Sequence, residues 1–83
     1  MRLAQYVKFR EEKFGGVLFE TRSEKVYTLN PAATAVVREI QAGADEAVIR
    51  QRLKERFDDN GGSIDGDVTA LIADLRAKGL LEG

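Results

Sequence analysis

The stretch from Lys25 to Ile40, K-V-Y-T-L-N-P-A-A-T-A-V-V-R-E-I, constrains this chain more than any other. Val26, Tyr27 and Thr28 are β-branched or aromatic, the types that fit a pleated strand, so Lys25 to Leu29 reads as a strand. Asn30 has the side chain of a helix N-cap. Pro31 falls at the first helical position, where its missing N–H leaves nothing unsatisfied. The strand therefore ends where the helix begins, with no linker. Residues before this hinge read as sheet and residues after it as helices.

On the sheet side, residues 3 to 10 alternate, with Tyr6 and Lys8 pointing one way and Val7 and Phe9 the other, as in a strand with one buried face. Glu11-Glu12-Lys13 is polar, and Phe14 followed by Gly15-Gly16 marks a turn or bulge. Val17 to Thr21 forms a second strand, Arg22-Ser23-Glu24 a short turn, and Lys25 to Leu29 the third strand. Connections this short join antiparallel neighbours, which gives a three-stranded meander.

On the helical side, Ala33, Val36, Val37 and Ile40 recur at helical spacing, predicting a helix from Pro31 to about Ala42 that stops at Gly43. A second helix begins at the N-cap Asp45 and carries Val48, Ile49, Leu53 and Phe57 on one face. Asp58 to Ser63 is a run of turn formers and the expected mobile segment. A third helix starts near Asp65 with Ile64, Val68, Leu71, Ile72 and Leu75 on its apolar side, and Gly79 closes it. Leu80 and Leu81 then fold back onto the core. The expectation is an α+β, winged helix-turn-helix-like fold, a three-stranded antiparallel sheet followed by three helices, in a single domain spanning residues 1–83.

Chemistry narrows the function classes. The chain has no histidine and no cysteine, which removes the commonest general base, the commonest metal ligands and any Cys–His pair or disulfide. Its carboxylates are spread along solvated helix faces, so no catalytic site, metal or cofactor is expected. Counted as a calcium loop from Asp58, the segment lacks the turn glycine at the sixth position, which is Ser63, and the bidentate Glu at the twelfth, which is Thr69. Gly61-Gly62-Ser63-Ile64 is similar to a carrier-domain phosphopantetheine site, but that serine belongs to a helical bundle and this chain opens with strands. Ser63 reads as a turn residue or cap. Gly15-Gly16 lacks the Lys-Ser or Lys-Thr of a phosphate loop. A net charge of −1 supplies no global field for nucleic acid or anionic membrane. The first residues lack the apolar core of a signal peptide, and no apolar run approaches the ~20 residues that span a bilayer. The chain reads as a cytoplasmic protein.

The order and spacing of several pieces resemble a known family. A strand ending in Leu29-Asn30 is followed by Thr34-Ala35 in the first helical turns. Val48-Ile49, Leu53 and Phe57 come next, and then Ile64, Asp67-Val68, Leu71-Ile72, Leu75 and Gly79-Leu80. From about Val7 to Leu81 this resembles the PqqD-type peptide chaperones, also called RiPP precursor-peptide recognition elements. The resemblance implies a non-catalytic domain that holds the leader of a ribosomally made precursor peptide. Such domains present the leader to a modifying enzyme, often a radical SAM enzyme. In the family the leader adds antiparallel to the third strand, in the groove between that strand and the third helix. By position this nominates Lys25, Val26, Tyr27, Thr28 and Leu29 on the strand, and Asp67, Val68, Leu71, Ile72, Leu75 and Lys78 on the helix. Pro31-Ala32 departs from the polar residue expected there and affects the cap alone.

The residues support the same mechanism unaided. In a meander of order 1-2-3 the third strand is an edge whose unpaired N–H and C=O groups accept an added strand. Such an edge takes either a ligand or a second copy of the chain, so a homodimer is the competing occupant. In a domain this small the apolar residues of the third helix, Val68 and Leu75 above all, are also needed as core. Lys25 and Lys78 have the charge to pair with leader carboxylates, but solvated lysines are commoner. Two other function classes share the fold. A winged-helix DNA binder needs a basic recognition helix, whereas the third helix sets Asp65, Asp67 and Asp74 against Arg76 and Lys78. The second helix, with Arg50, Arg52, Lys54 and Arg56, suits docking on an acidic patch of the partner enzyme. A general protein-interaction module, of the kind found in toxin–antitoxin pairs, remains the third class.

Overall fold

The computed structural model describes residues 1–57 and 61–83. In chain order the elements are β1 (Arg2–Leu3), β2 (Val7–Glu12), β3 (Gly15–Glu20), β4 (Lys25–Leu29), α1 (Pro31–Gln41), α2 (Glu46–Arg56), α3 (Ile64–Ala77) and β5 (Leu81–Glu82). Strands β2, β3 and β4 form an antiparallel sheet in that spatial order, and the three helices follow it. This is the winged-helix-like α+β arrangement that the sequence predicts.

The hinge forms as its residues dictate. Asn30 accepts a hydrogen bond from the Ala33 N–H at 2.8 Å, and Pro31 opens α1. Asp45 caps α2 in the same way, accepting from the Val48 N–H at 2.9 Å. Each such cap satisfies one of the orphan donors of a first helical turn, worth about 1 kcal/mol. Ser63 stands at the N-cap position of α3, yet its side chain makes no capping bond.

Helix α1 is the central element. It packs on β3 and β4 on one side and on α2 and α3 on the other. Its buried residues therefore extend beyond the predicted stripe to Thr34, Ala35 and Glu39. Leu18 from the sheet, Val37 and Ile40 from α1, Ile49 from α2 and Val68 and Ile72 from α3 meet in one core, each at most 3% exposed. Burying a side chain of this size contributes about 1.5–3 kcal/mol.

Three details differ from the sequence-based expectation. Residues 3–10 are not one strand. Arg2–Leu3 leaves the meander and pairs with Leu81–Glu82, because the Ala4 N–H donates to the Leu80 carbonyl and the chain turns before Val7. Leu80 is fully buried and Leu81 only partly, so the segment after Gly79 becomes a strand as well as a core contact. Tyr6 braces this end, its hydroxyl donating to the Gly79 carbonyl and the Arg22 guanidinium lying 3.4 Å from its ring centroid.

Glu11 and Glu12 belong to β2, and Gly15 and Gly16 pair with them as the start of β3. The glycines answer to close packing rather than to a bulge. A Cβ on Gly15 would stand 2.1 Å from the Leu29 carbonyl oxygen, and Gly15 has φ +145°. A Cβ on Gly16 would stand 2.9 Å from Thr34 Oγ1. The start of β3 thus runs directly against the hinge.

Helix α3 begins at Ile64, one residue before the predicted start. The segment expected to be mobile falls partly on residues 58–60, outside the described residues.

Gly15→Ala combines a backbone conformation hostile to an L side chain with a clash against main chain. It is expected to lower the unfolding free energy by about 2–3 kcal/mol or more. Gly66→Ala, in the first turn of α3 with open space around it, is expected to raise it by about 0.5 kcal/mol. Urea denaturation of the two variants beside the parent chain checks both signs.

Candidate functional site

The candidate site begins at the free edge of β4. Strand β4 pairs with β3 along its whole length, Lys25 with Glu20 through Leu29 with Gly16, and among the described residues with no other strand. Opposite residues in an antiparallel ladder share a face. Phe9, Leu18 and Tyr27 form one row, and Leu18 is fully buried under the helices. Tyr27 and Leu29 therefore face the helical side, whereas Val26 and Thr28 face away. Only the backbone of β4 presents all five nominated residues together.

The turn before β4 holds its start. The Glu20 carboxylate accepts from the Arg22 and Ser23 N–H groups and from the Ser23 hydroxyl. The Ser23 hydroxyl bond is the largest influence on Glu20 and, with the two amides, holds its pKa below the usual carboxylate range. Glu24 completes the turn in the left-handed region at φ 63°.

A cleft of about 470 Å³ lies between β4 and α3. Val26, Tyr27, Thr28 and Leu29 all line it from the strand, Leu71 and Leu75 from the helix and Lys78 from the helix C-cap, with Ala33 from α1 between them. At Ala33 and Leu71 it runs on into a second cleft of about 500 Å³, where Val36, Leu53, Phe57, Asp67 and Val68 continue the lining. The result is one groove, apolar along its floor and open along β4. Val68 and Leu75 are 1% and 3% exposed, so they serve as groove floor and core together, while Leu71 is half-buried on the rim. Ile72, 3% exposed, lines neither cleft, and neither does the exposed Lys25. Lys78 bonds to Asp74 and stands 5.9 Å from the Tyr27 ring centroid, closing one end of the groove with charge.

Sequence reasoning missed Asn30, Ala33 and Phe57 as groove residues. Their signals were present as a cap, a stripe residue and the last apolar residue of the second helix. Each was absorbed by its structural role.

The α2 cations do not form a free basic face. Arg50 pairs with Glu46 and also bonds Thr69, Arg52 pairs with Glu39, and Lys54 pairs with Asp65 at 2.8 Å. Arg56 makes no ion pair among the described residues. A hollow of about 950 Å³ between α2 and α3 is rimmed by Arg50, Lys54 and Asp65 and lies away from β4. Residues Asp65 and Asp67 put negative charge on the first turn of α3, where a DNA-reading helix would meet phosphates.

The sequence profile of the family described as "Coenzyme PQQ synthesis protein D (PqqD)" matches residues 15–81, most of the chain. This chain belongs to the PqqD family. No curated protein sequence matches it. Two solved structures share its fold. One, described as "Lasso peptide synthetase B1 complexed with the leader peptide", has a TM-score of 0.85 at 24% identity, covering 99% of this chain and 96% of that one. The other, "TbiB1 in Complex with the TbiA(beta) Leader Peptide", has a TM-score of 0.89 at 17% identity, covering 100% of this chain and 96% of that one. The PqqD profile begins at Gly15 and so takes in the hinge, β4 and α3, the elements that build the groove. Among the described residues no helix is long and apolar enough to cross a membrane.

Because the folded-state pKa of Glu20 is lowered, the stability of the β3–β4 turn is fully present above the ordinary value of 4.5 and is lost as pH falls through the folded pKa. Acidification below 4.5 is expected to move the Arg22 and Ser23 amide resonances and to speed their hydrogen exchange. Glu20→Gln should remove most of this pH dependence. An NMR pH titration of the two chains measures it.

Proposed function

We propose that the chain binds the leader segment of a ribosomally synthesised precursor peptide as a fourth antiparallel strand on β4, lying in the groove against α3. It then presents the peptide to a modifying enzyme, of the radical SAM class or similar, and does no chemistry of its own. The observation that carries the proposal is the unpaired β4 edge opening onto a continuous apolar groove. Main-chain bonds to such an edge give affinity with little demand on sequence, and the apolar floor supplies discrimination.

The two sheet edges support this reading by their contrast. Strand β2, the other edge, carries Lys8, Arg10, Glu11 and Glu12, the charged residues that discourage strand addition. Strand β4 carries Val26, 59% exposed, with Tyr27 and Thr28 beside it. The fold-mates were solved with leader peptides bound, and family membership gives this chain the same context. The absence of histidine and cysteine fits a non-enzymatic subunit. The acidic start of α3 and the self-paired α2 cations weigh against nucleic acid as the ligand. A cytoplasmic subunit acting in trans, with an unliganded edge also open to a second copy, completes the proposal.

Titration of isotope-labelled protein with leader peptides encoded near its gene is expected to shift the backbone amides of Lys25 to Leu29 and of Asp67 to Lys78. Leu71→Glu puts a charge on the groove rim, and should weaken binding about tenfold or more while leaving the amide spectrum of β2 and α2 in place. If Arg50 to Arg56 respond to duplex DNA and β4 does not respond to any leader, the winged-helix alternative takes its place.

A further inference from the structure

The groove is chemically uneven along its length. At the β4 end its charges are matched, since Lys78 bonds Asp74. The second cleft is different. Its walls are apolar side chains from α1, α2 and α3, and among the described residues Asp67 is the one charged group lining it. Asp67 is exposed, and its carboxylate makes no ion pair or hydrogen bond among the described residues. The other two carboxylates of α3 are matched, Asp65 with Lys54 and Asp74 with Lys78. The helix dipole does not require Asp67, because Asp65 already sets a carboxylate in the same first turn. Arg56 does not answer it either, as it lines a separate hollow with Glu11, Glu12 and Arg38. An apolar cleft is thus left with one unmatched anion on its rim.

The fold gives this anion a fixed place along a bound strand. On the leader-binding reading, on which the inference rests, the peptide runs antiparallel to β4. Tyr27 lies beside Lys78, and the two clefts meet at Asn30, Ala33 and Leu71. Strand β4 and helix α3 therefore run in opposite directions, and the peptide runs parallel to α3. Its residues N-terminal to the β4-paired stretch cross the second cleft, where β4 has ended and α1 has begun. No strand edge bonds them there, so side chains decide the fit. Asp67 precedes Leu71 by one helical turn on the same face, ~6 Å along the axis or about two residues of extended chain. We infer that Asp67 sets specificity, selecting leaders with an Arg or Lys about two residues upstream of the apolar residue seated on Leu71. A long cationic side chain lays its stem on the apolar wall and its charge at the rim. An acidic residue there meets Asp67 as a like charge, and an apolar one covers Asp67 without giving it a partner.

The test selects binders from an mRNA-displayed library of random peptides on the full chain, with the Asp67→Lys variant run in parallel. Selected peptides that shift the amides of Lys25 to Leu29 are aligned on their apolar residues. The expected result for the parent is Arg or Lys enriched at one position N-terminal to the apolar anchor. For the variant, Asp or Glu should take that position. Replacing the basic residue of a parent-selected peptide by Glu should weaken its binding about fivefold, and Asp67→Lys should restore it. Asp67 is exposed, and circular dichroism checks that the variant folds. A selection blind to charge, or a basic preference that survives Asp67→Lys, overturns the inference and leaves strand addition on β4 standing. If no selected peptide shifts the β4 amides, the leader reading fails and the inference falls with it.

Discussion

The close passage of β3 beneath the hinge governs this structure. The Leu29 carbonyl lies where a Cβ on Gly15 would stand, and Thr34 closes on Gly16 in the same way. Two glycines therefore let the sheet approach the start of α1 to main-chain distance. With Asn30 capping the helix at once, β4 and α1 behave as one bent element. Helix α3 packs on the far side of that element through α1. The separation between the β4 edge and α3 is thus set by the thickness of α1 side chains, chiefly Ala33 and Val36. Interiors are packed too densely for this spacing to drift. A small residue at position 33 keeps the groove open, and the same packing keeps it rigid.

That rigidity explains how a short chain can carry an open edge. An unpaired strand is a hazard for aggregation, and the two edges of this sheet meet it differently. Strand β2 is charged along its length, whereas β4 is bordered by α3 across the groove. The main-chain groups along β4 are held in strand geometry by their pairing with β3.

The charges distribute themselves by the same logic. Glu11 pairs with Arg38 and its pKa is lowered, chiefly by that hydrogen bond, while Arg38 is raised by the same contact. The pair ties β2 to α1, and Arg52 with Glu39 ties α2 to α1. The exposed Arg38–Glu11 pair contributes little stability, whereas in the second pair Glu39 is buried. Both pairs neutralise the faces they occupy, and so remove α2 as a cationic surface.

Much of this was written locally. Asn30-Pro31, Asp45 and Gly79 mark helix ends because capping is a matter of a few neighbouring atoms, and Ala33, Val36, Val37 and Ile40 declare a buried face through spacing alone. The strand-to-helix hinge, the meander and the three helices were therefore legible from residues 25 to 80. What the chain alone could not settle was every relation between distant residues. Arg2 and Leu3 look like the start of a strand and become the partner of Leu81 and Glu82, because pairing depends on where the C-terminal turn delivers its edge. Gly15-Gly16 looks like a turn and proves to be a contact, since the need for glycine arises from the Leu29 carbonyl. Val68, Leu71, Ile72 and Leu75 share one apolar stripe. Only the angle at which α3 meets α1 decides that Leu71 is rim, Val68 and Leu75 are floor and core together, and Ile72 is core alone. Local chemistry sets the elements, and the direction in which each side chain looks waits for the packing of the whole.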